Sequence, residues 1–156
     1  RDYAVTGVQT CALPISNDAA DEGKQDIAIN LVQKHLREGT GVISTQVTQE
    51  YAVVASQKLG QAVPVVMHQL HLLESLSVVV IKPDLVRRGL ELKTLYGLSY
   101  WDSLIIAAAE SAGCNQILSE DLNSGQSYCG MKCINPFAMV ATAASTAAST
   151  AASTVG

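Results

Sequence analysis

Three carboxylates in this chain stand where carboxylates are costly. Glu50 falls on the stripe Val47, Glu50, Tyr51, Val54, the i, i+3, i+4, i+7 face of a helix that should meet a core. A charge there costs several kcal/mol unless it is paired or holds a metal. A buried ion pair or a helix-edge position is the competing account. Asp102 follows Ser99 by three residues and directly precedes the apolar run SLIIAAA at 103–109. Ser99 can cap that helix with Asp102 reaching back, and the run marks the helix as buried, so its first turn can open at a crevice. Asp121, with Glu120 beside it, comes just after the strand-like segment 116–118. Taken alone, a simple polar turn explains it as well. If the three acids converge, a hard divalent cation relieves their repulsion. Mg²⁺ prefers oxygen ligands and keeps several waters. It lowers the pKa of a bound water and polarises a phosphoryl oxygen, which is the chemistry of phosphodiester hydrolysis.

The elements that must position these acids alternate along the chain. Residues 24–38 put Ile27, Ala28, Leu31 and Val32 on one helical stripe and stop at Gly39. The β-branched run GVIST at 41–45 predicts a strand, and residues 46–59 predict a helix stopped by Gly60. A further helix is expected over 64–76, with Pro64 in its first turn. SVVVIK at 77–82 is continuously apolar, the pattern of a strand covered on both faces. Pro83 opens a helix to about Gly97, and Ser99 opens another to about Ala112. Short strands are expected at 116–118 and 132–134. Strands separated by helices predict an α/β fold, a parallel sheet with helices on both sides. The ligand crevice of such a sheet lies beyond the carboxyl ends of its strands.

Composition excludes several classes. The 156 residues are 48 % hydrophobic and 15 % charged, enough apolar side chain for a core and against a disordered chain overall. No apolar run is long enough to span a bilayer. A net charge of −4 argues against a strongly basic nucleic-acid binder. It does not exclude a carboxylate–metal site, where the ion supplies positive charge locally. Cys11, Cys114, Cys129 and Cys133 lack a second pair at zinc-ligand spacing and read as free buried thiols in a reducing cytoplasm. His35, His68 and His71 read as surface or packing residues, and Trp101 as a packing residue beside Asp102.

Both ends are unlike the middle. From Ala143 to Thr154 the tetrad Ala-Ala-Ser-Thr occurs three times, and residues 138–156 are expected to be a disordered low-complexity tail. Residues 1–15, RDYAVTGVQTCALPI, resemble the translated sequencing-adapter read-through found at the edges of assembled metagenomic sequence, and read as a non-native segment. A signal peptide fits poorly, because Asp2 stands where a basic region should be.

GVISTQVTQEY at 41–51, YGLSYWDSLIIAAAE at 96–110 and ILSEDL at 117–122 resemble, in order and spacing, the PIN-domain nucleases. Within that family the chain is most similar to the VapC-like ribonuclease toxins of bacterial toxin–antitoxin modules. The resemblance covers about residues 16–137. It implies a three-layer α/β/α fold around a central parallel sheet, and a quartet of acids that binds Mg²⁺ or Mn²⁺ and cleaves RNA. Carried over, Glu50 is the helical acid, Asp102 the acid opening the buried helix and Asp121 the acid after the fourth family strand. Ser119 matches the small hydroxyl residue of the last motif, and Glu120 is an accessory acid. Ser44 and Thr45 end a strand beside the site. Lys58, Arg87, Arg88 and Lys93 could line an RNA groove, though each taken singly reads as part of a solvated helix face.

The family's first strand carries an Asp followed by a small hydroxyl residue and Asn, and nothing in residues 1–16 matches it. The first strand is therefore expected to be missing or replaced, with one metal ligand fewer and weaker metal binding. The resemblance implies a Mg²⁺-dependent endoribonuclease toxin, impaired as written, with RNA as substrate, an antitoxin protein as partner and a homodimeric state. The alternative is a catalytically inactive PIN-fold binding module. A phosphoacceptor receiver ranks below both, since no strand end offers an acid pair with a downstream Lys.

Overall fold

The computed structural model describes residues 3–5 and 19–138; Cys11, most of the adapter-like head and the tail beyond 138 lie outside the described residues. Strands β1 (Tyr3–Val5), β2 (Gly41–Ser44), β3 (Ser77–Val79), β4 (Cys114–Leu118), β5 (Ser127–Tyr128) and β6 (Met131–Ile134) form one sheet. Their order is β3-β2-β1-β4-β6-β5. Every pairing is parallel except the β5–β6 hairpin at one edge. The helices are α1 (Ala19–Glu38), α2 (Thr45–Val53), α3 (Val63–Leu73), α4 (Pro83–Tyr96) and α5 (Tyr100–Ser111). α2 runs on through a π-helical turn at Val54–Lys58, so the helix expected over 46–59 is present with its last turn widened.

The layers follow from strand alternation. Val42 and Ile43 are neighbours in β2 and point to opposite faces. Val42 and Ile117 join Leu85 and Leu92 of α4 and the buried side of α5. Ile43 joins Val47 and Tyr51 of α2 and Val66 and Leu73 of α3, with Val32 and Leu36 of α1 against them. The sheet is thus sandwiched between α4–α5 and α1–α2–α3, as expected for a three-layer α/β/α domain.

The first strand is replaced rather than missing. Tyr3–Val5 fills the central slot, with Val5 paired to Val42 on one side and Ile117 on the other. That slot would otherwise leave backbone groups of β2 and β4 without partners, and burial makes such orphans expensive. The tripeptide Tyr-Ala-Val completes the ladder but brings no carboxylate.

Two expectations need correction. The run 77–82 is not a strand covered on both faces. Only Ser77–Val79 pairs, at the sheet edge, and Ser77, Val78 and Val80 are exposed. Apolarity marked the run, but an edge strand has one neighbour and little cover. The second correction is β5, an antiparallel strand whose two residues carry no periodic signal.

α4 and α5 form the tightest helix pair, and two glycines make it possible. A Cβ at Gly89 would come within 3.3 Å of Leu104 Cδ1 and 3.4 Å of the Leu104 backbone. Gly97 takes φ +67 to end α4 in a left-handed cap. The turn then reaches Ser99, which caps α5.

Candidate active site

The carboxyl ends of β1, β2 and β4 lie at one edge of the sheet because these strands are parallel. Glu50, Asp102 and Asp121 approach that edge from three elements. β2 ends at Ser44 and turns directly into α2, which carries Glu50 on its second turn. The neighbours Val47 and Tyr51 are buried while Glu50 is half-buried, so its carboxylate lies at the margin of the core stripe. Gln46, one turn earlier on the same face, donates from Nε2 to Glu50 Oε1 at 2.8 Å. The same Nε2 donates to the backbone oxygen of Trp101 at 3.2 Å. One buried amide therefore ties the acid of α2 to the first turn of α5.

Asp102 occupies that first turn. Its backbone N–H donates to Ser99 Oγ at 3.1 Å, and the Ser99 hydroxyl donates to Asp102 Oδ2 at 2.6 Å. The expected capping arrangement is thus present, and it orients the carboxylate as well as closing the helix. Behind it Ser103 to Ala109 are all buried, which anchors the turn.

Asp121 follows the end of β4. Buried Ser119 accepts from the backbone N–H of Asp121 at 3.2 Å and of Leu122 at 3.4 Å, while its own N–H donates to the Ile134 oxygen of β6 at 3.0 Å. Its hydroxyl therefore shapes the turn that presents Asp121. Glu120 turns aside to Lys24 of α1, 2.6 Å from Oε2 to Nζ. Thr45 Oγ1 accepts from the Ile81 N–H at 3.1 Å, holding the chain after β3 against the start of α2. Ser44 Oγ is buried with no hydrogen-bond partner.

Electrostatics shows that the acids sense one another. Partial loss of water, then the charges of Asp102, Glu120 and Glu50, raise the Asp121 pKa above its ordinary value, with Lys24 opposing. Among the described residues, no group of three or more His, Cys, Asp or Glu side chains is gathered closely enough to hold a metal ion. The donor set nonetheless fits a hard divalent cation in kind. Its charged members are carboxylates only, and Asp121 carries repulsion that such an ion would relieve.

Other expectations divide. His35 is buried and bonded to Thr40 Oγ1 at 2.8 Å, while His68 and His71 are exposed. Cys114 and Cys133 are buried free thiols. Burial pushes the Cys114 thiol up to about 11 and raises Cys133 as well, so neither is a ready thiolate. Arg88 is held by Glu110 on two nitrogens and by Glu91, whereas Lys58, Arg87 and Lys93 are exposed. Trp101 is not a packing residue. It is 61 % exposed, although Leu104 and Ile105, one turn further along the same face of α5, are buried. Gln46 and Lys24 were not foreseen. Gln46 could have been found, since it lies four residues before Glu50 on one helix face. Lys24 meets Glu120 across most of the chain, and no local pattern signals such a contact.

The sequence profile of the PIN domain matches residues 16–124. The chain belongs to the PIN domain family. No curated protein matches it in sequence. Two solved structures share its fold. One is VapC20 of Mycobacterium tuberculosis, described as a toxin that cleaves the sarcin–ricin loop. It has a TM-score of 0.56 and 15 % identity, covering 73 % of this chain and 86 % of that one. The other is PAE2754 of Pyrobaculum aerophilum, with a TM-score of 0.53 and 18 % identity, covering 90 % of each chain. At these identities the likeness speaks to the fold. The matched span of the PIN profile includes Glu50, Asp102, Ser119, Glu120 and Asp121. Among the described residues, no helix of this PIN domain is long and apolar enough to cross a membrane.

Proposed function

We propose that this PIN domain, residues 16–137, is a VapC-like endoribonuclease toxin that hydrolyses RNA phosphodiesters with Mg²⁺ or Mn²⁺ held by Glu50, Asp102 and Asp121. The observation that carries the reading is the approach of these acids from three elements to one sheet edge, close enough for Asp102 and Glu50 to raise Asp121. A divalent ion, when bound, supplies polarisation of the phosphoryl oxygen and a more acidic water. The chain's own side chains do the positioning. Gln46 fixes Glu50, Ser99 fixes Asp102, and Ser119 fixes the turn before Asp121. Lys24 neutralises Glu120, which limits the excess negative charge that an RNA phosphate must approach.

The central strand Tyr3–Val5 contributes no acid, so the chain as written holds the ion with one carboxylate fewer than the family's quartet, and its activity is impaired. Toxin partners suit a second feature. A cavity of about 330 Å³ lies between α1, α2 and α3, lined by Ile29, Val32, Leu36, Tyr51, Leu72 and Leu73. An apolar segment of an antitoxin would bury its side chains there. The reading places the protein in the cytoplasm as a homodimer.

The test uses a chain whose first strand carries an Asp followed by a hydroxyl residue and Asn. Asp102→Asn in that chain is expected to abolish Mn²⁺-dependent cleavage of RNA; full residual activity would overturn the site. The acid-free β1 favours one second reading, an inactive PIN-fold binding module. On that reading the chain as written binds RNA or its partner and shows no cleavage at any Mg²⁺ or Mn²⁺ concentration.

A further inference from the structure

Among the Phe, Tyr and Trp side chains of residues 23–138, Trp101 alone stands exposed; Tyr51, Tyr128 and Phe137 are buried, and Tyr96 and Tyr100 are half-buried. Leaving an indole in water forgoes a large apolar burial. Its position is also tightly indexed. It sits between Tyr100 and Asp102 on the first turn of α5, and its backbone oxygen is gripped by the same Gln46 amide that holds Glu50. Its ring rests against Tyr100, centroids 5.3 Å apart at 64°. Tyr100 in turn lies against α4, its Cε2 3.4 Å from where a Cβ on Gly89 would stand. The exposed ring is therefore backed by a second ring and by a helix, and stands one residue from a site carboxylate.

Charge makes such a surface useful. The groups gathered at the sheet edge are acidic, and Lys24 is engaged with Glu120. A bound cation would attract a phosphate, but the acids around it give the rest of a nucleotide no electrostatic grip. Affinity for the neighbouring base must come from a neutral contact, and every base offers a π-face. We infer that Trp101, backed by Tyr100, is a stacking platform for an unpaired RNA base next to the phosphate at the acidic site. The inference rests on the ribonuclease reading and adds to it. The substrate is single-stranded at that nucleotide, because a paired and stacked base has no free face to give. Trp101 is a substrate-binding residue and takes no part in the bond change.

Trp101 is the only tryptophan of the chain, so its emission reports this position alone. The experiment titrates the full chain, in Mg²⁺, with a short 5′-labelled oligoribonucleotide and with the same oligonucleotide carrying abasic sites. Label anisotropy and tryptophan emission are followed together. The expected result is quenching of emission in step with binding, and weaker binding of the abasic chain. Trp101→Ala should weaken binding about 5- to 150-fold, the range of one base–aromatic stack. Trp101→Phe should restore most of it, with thermal stability unchanged in both variants. RNA binding with unchanged emission, and an Ala variant that binds equally well, overturns the platform and leaves the ribonuclease reading standing. Emission that shifts with protein concentration alone means a second copy covers the ring and overturns it too. Failure to bind any RNA in Mg²⁺ or Mn²⁺ overturns both.

Discussion

Helices α3 and α5 are both strongly apolar, and the structure uses them in opposite ways. In α5 every residue from Ser103 to Ala109 is buried, between the sheet and α4. In α3 only Val66 and Leu73 are buried, while Val63, Val65, Met67 and Leu72 face outward. α5 has neighbours on nearly all sides because Gly89 lets α4 approach within contact of Leu104. α3 touches the body along one stripe, where the Tyr51 hydroxyl donates to Gln69. The lesson is that apolar composition marks a helix for burial without saying by what. α5 is covered by this chain, and the outward face of α3, next to the apolar cavity, suits a partner.

Four substitutions break or sharpen that contrast. The largest effect is expected from Ile106→Ala in α5. Ile106 is fully buried, and losing it should cost about 2–5 kcal/mol by denaturant unfolding, as cavity-forming changes do. A cost under 1 kcal/mol (roughly a surface value) would mean that α5 is as loosely covered as α3. Next comes Ser99→Ala, which removes the cap of α5 and the 2.6 Å bond to Asp102. It should cost about 1 kcal/mol and lower metal-dependent cleavage further than stability alone explains.

Leu72→Ser in α3 should change stability by no more than about 0.5 kcal/mol, because the side chain is already 51 % exposed. The same change should weaken antitoxin binding in a pull-down titration. An unfolded Leu72→Ser variant would show that α3 is core after all.

The smallest effect is Asp121→Asn, at the site end of the molecule. The folded state raises the Asp121 pKa, so it holds the proton more tightly than the unfolded chain does. This group's contribution to stability is fullest below the unfolded value of 3.8 and declines as pH rises through the raised value. Asp121→Asn should therefore melt slightly higher than the parent at neutral pH, with the gain vanishing near pH 4 (about the unfolded carboxylate range). Added Mg²⁺ should narrow the same gap. A parent that melts higher at neutral pH without metal would remove the repulsion argued for the acidic edge.

Much of this was legible in the sequence. α4 and α5 were bounded closely by Pro83, Gly97 and Ser99, because caps and breakers act within one turn. The three acids stood out because each interrupts or borders an apolar pattern. The motifs that resemble the PIN family ordered them along the chain. Burial was harder to read. Val78 and Val80 looked like core and lie at an edge, and Trp101 looked like packing and faces water, since exposure depends on which elements happen to cover a position.

What the sequence determined by itself was local: helix and strand identity, caps, the apolar stripes, and which residue types were available for chemistry. These depend on interactions within a turn or a strand. The tertiary structure alone decided the rest. It gave Tyr3–Val5 the central slot, brought Glu120 to Lys24, tied Glu50 to the Asp102 turn through Gln46, and left Trp101 in the open. The first three join residues far apart in the chain and the last is set by which segments cover a position, and both are fixed only when the packed core decides where the segments meet.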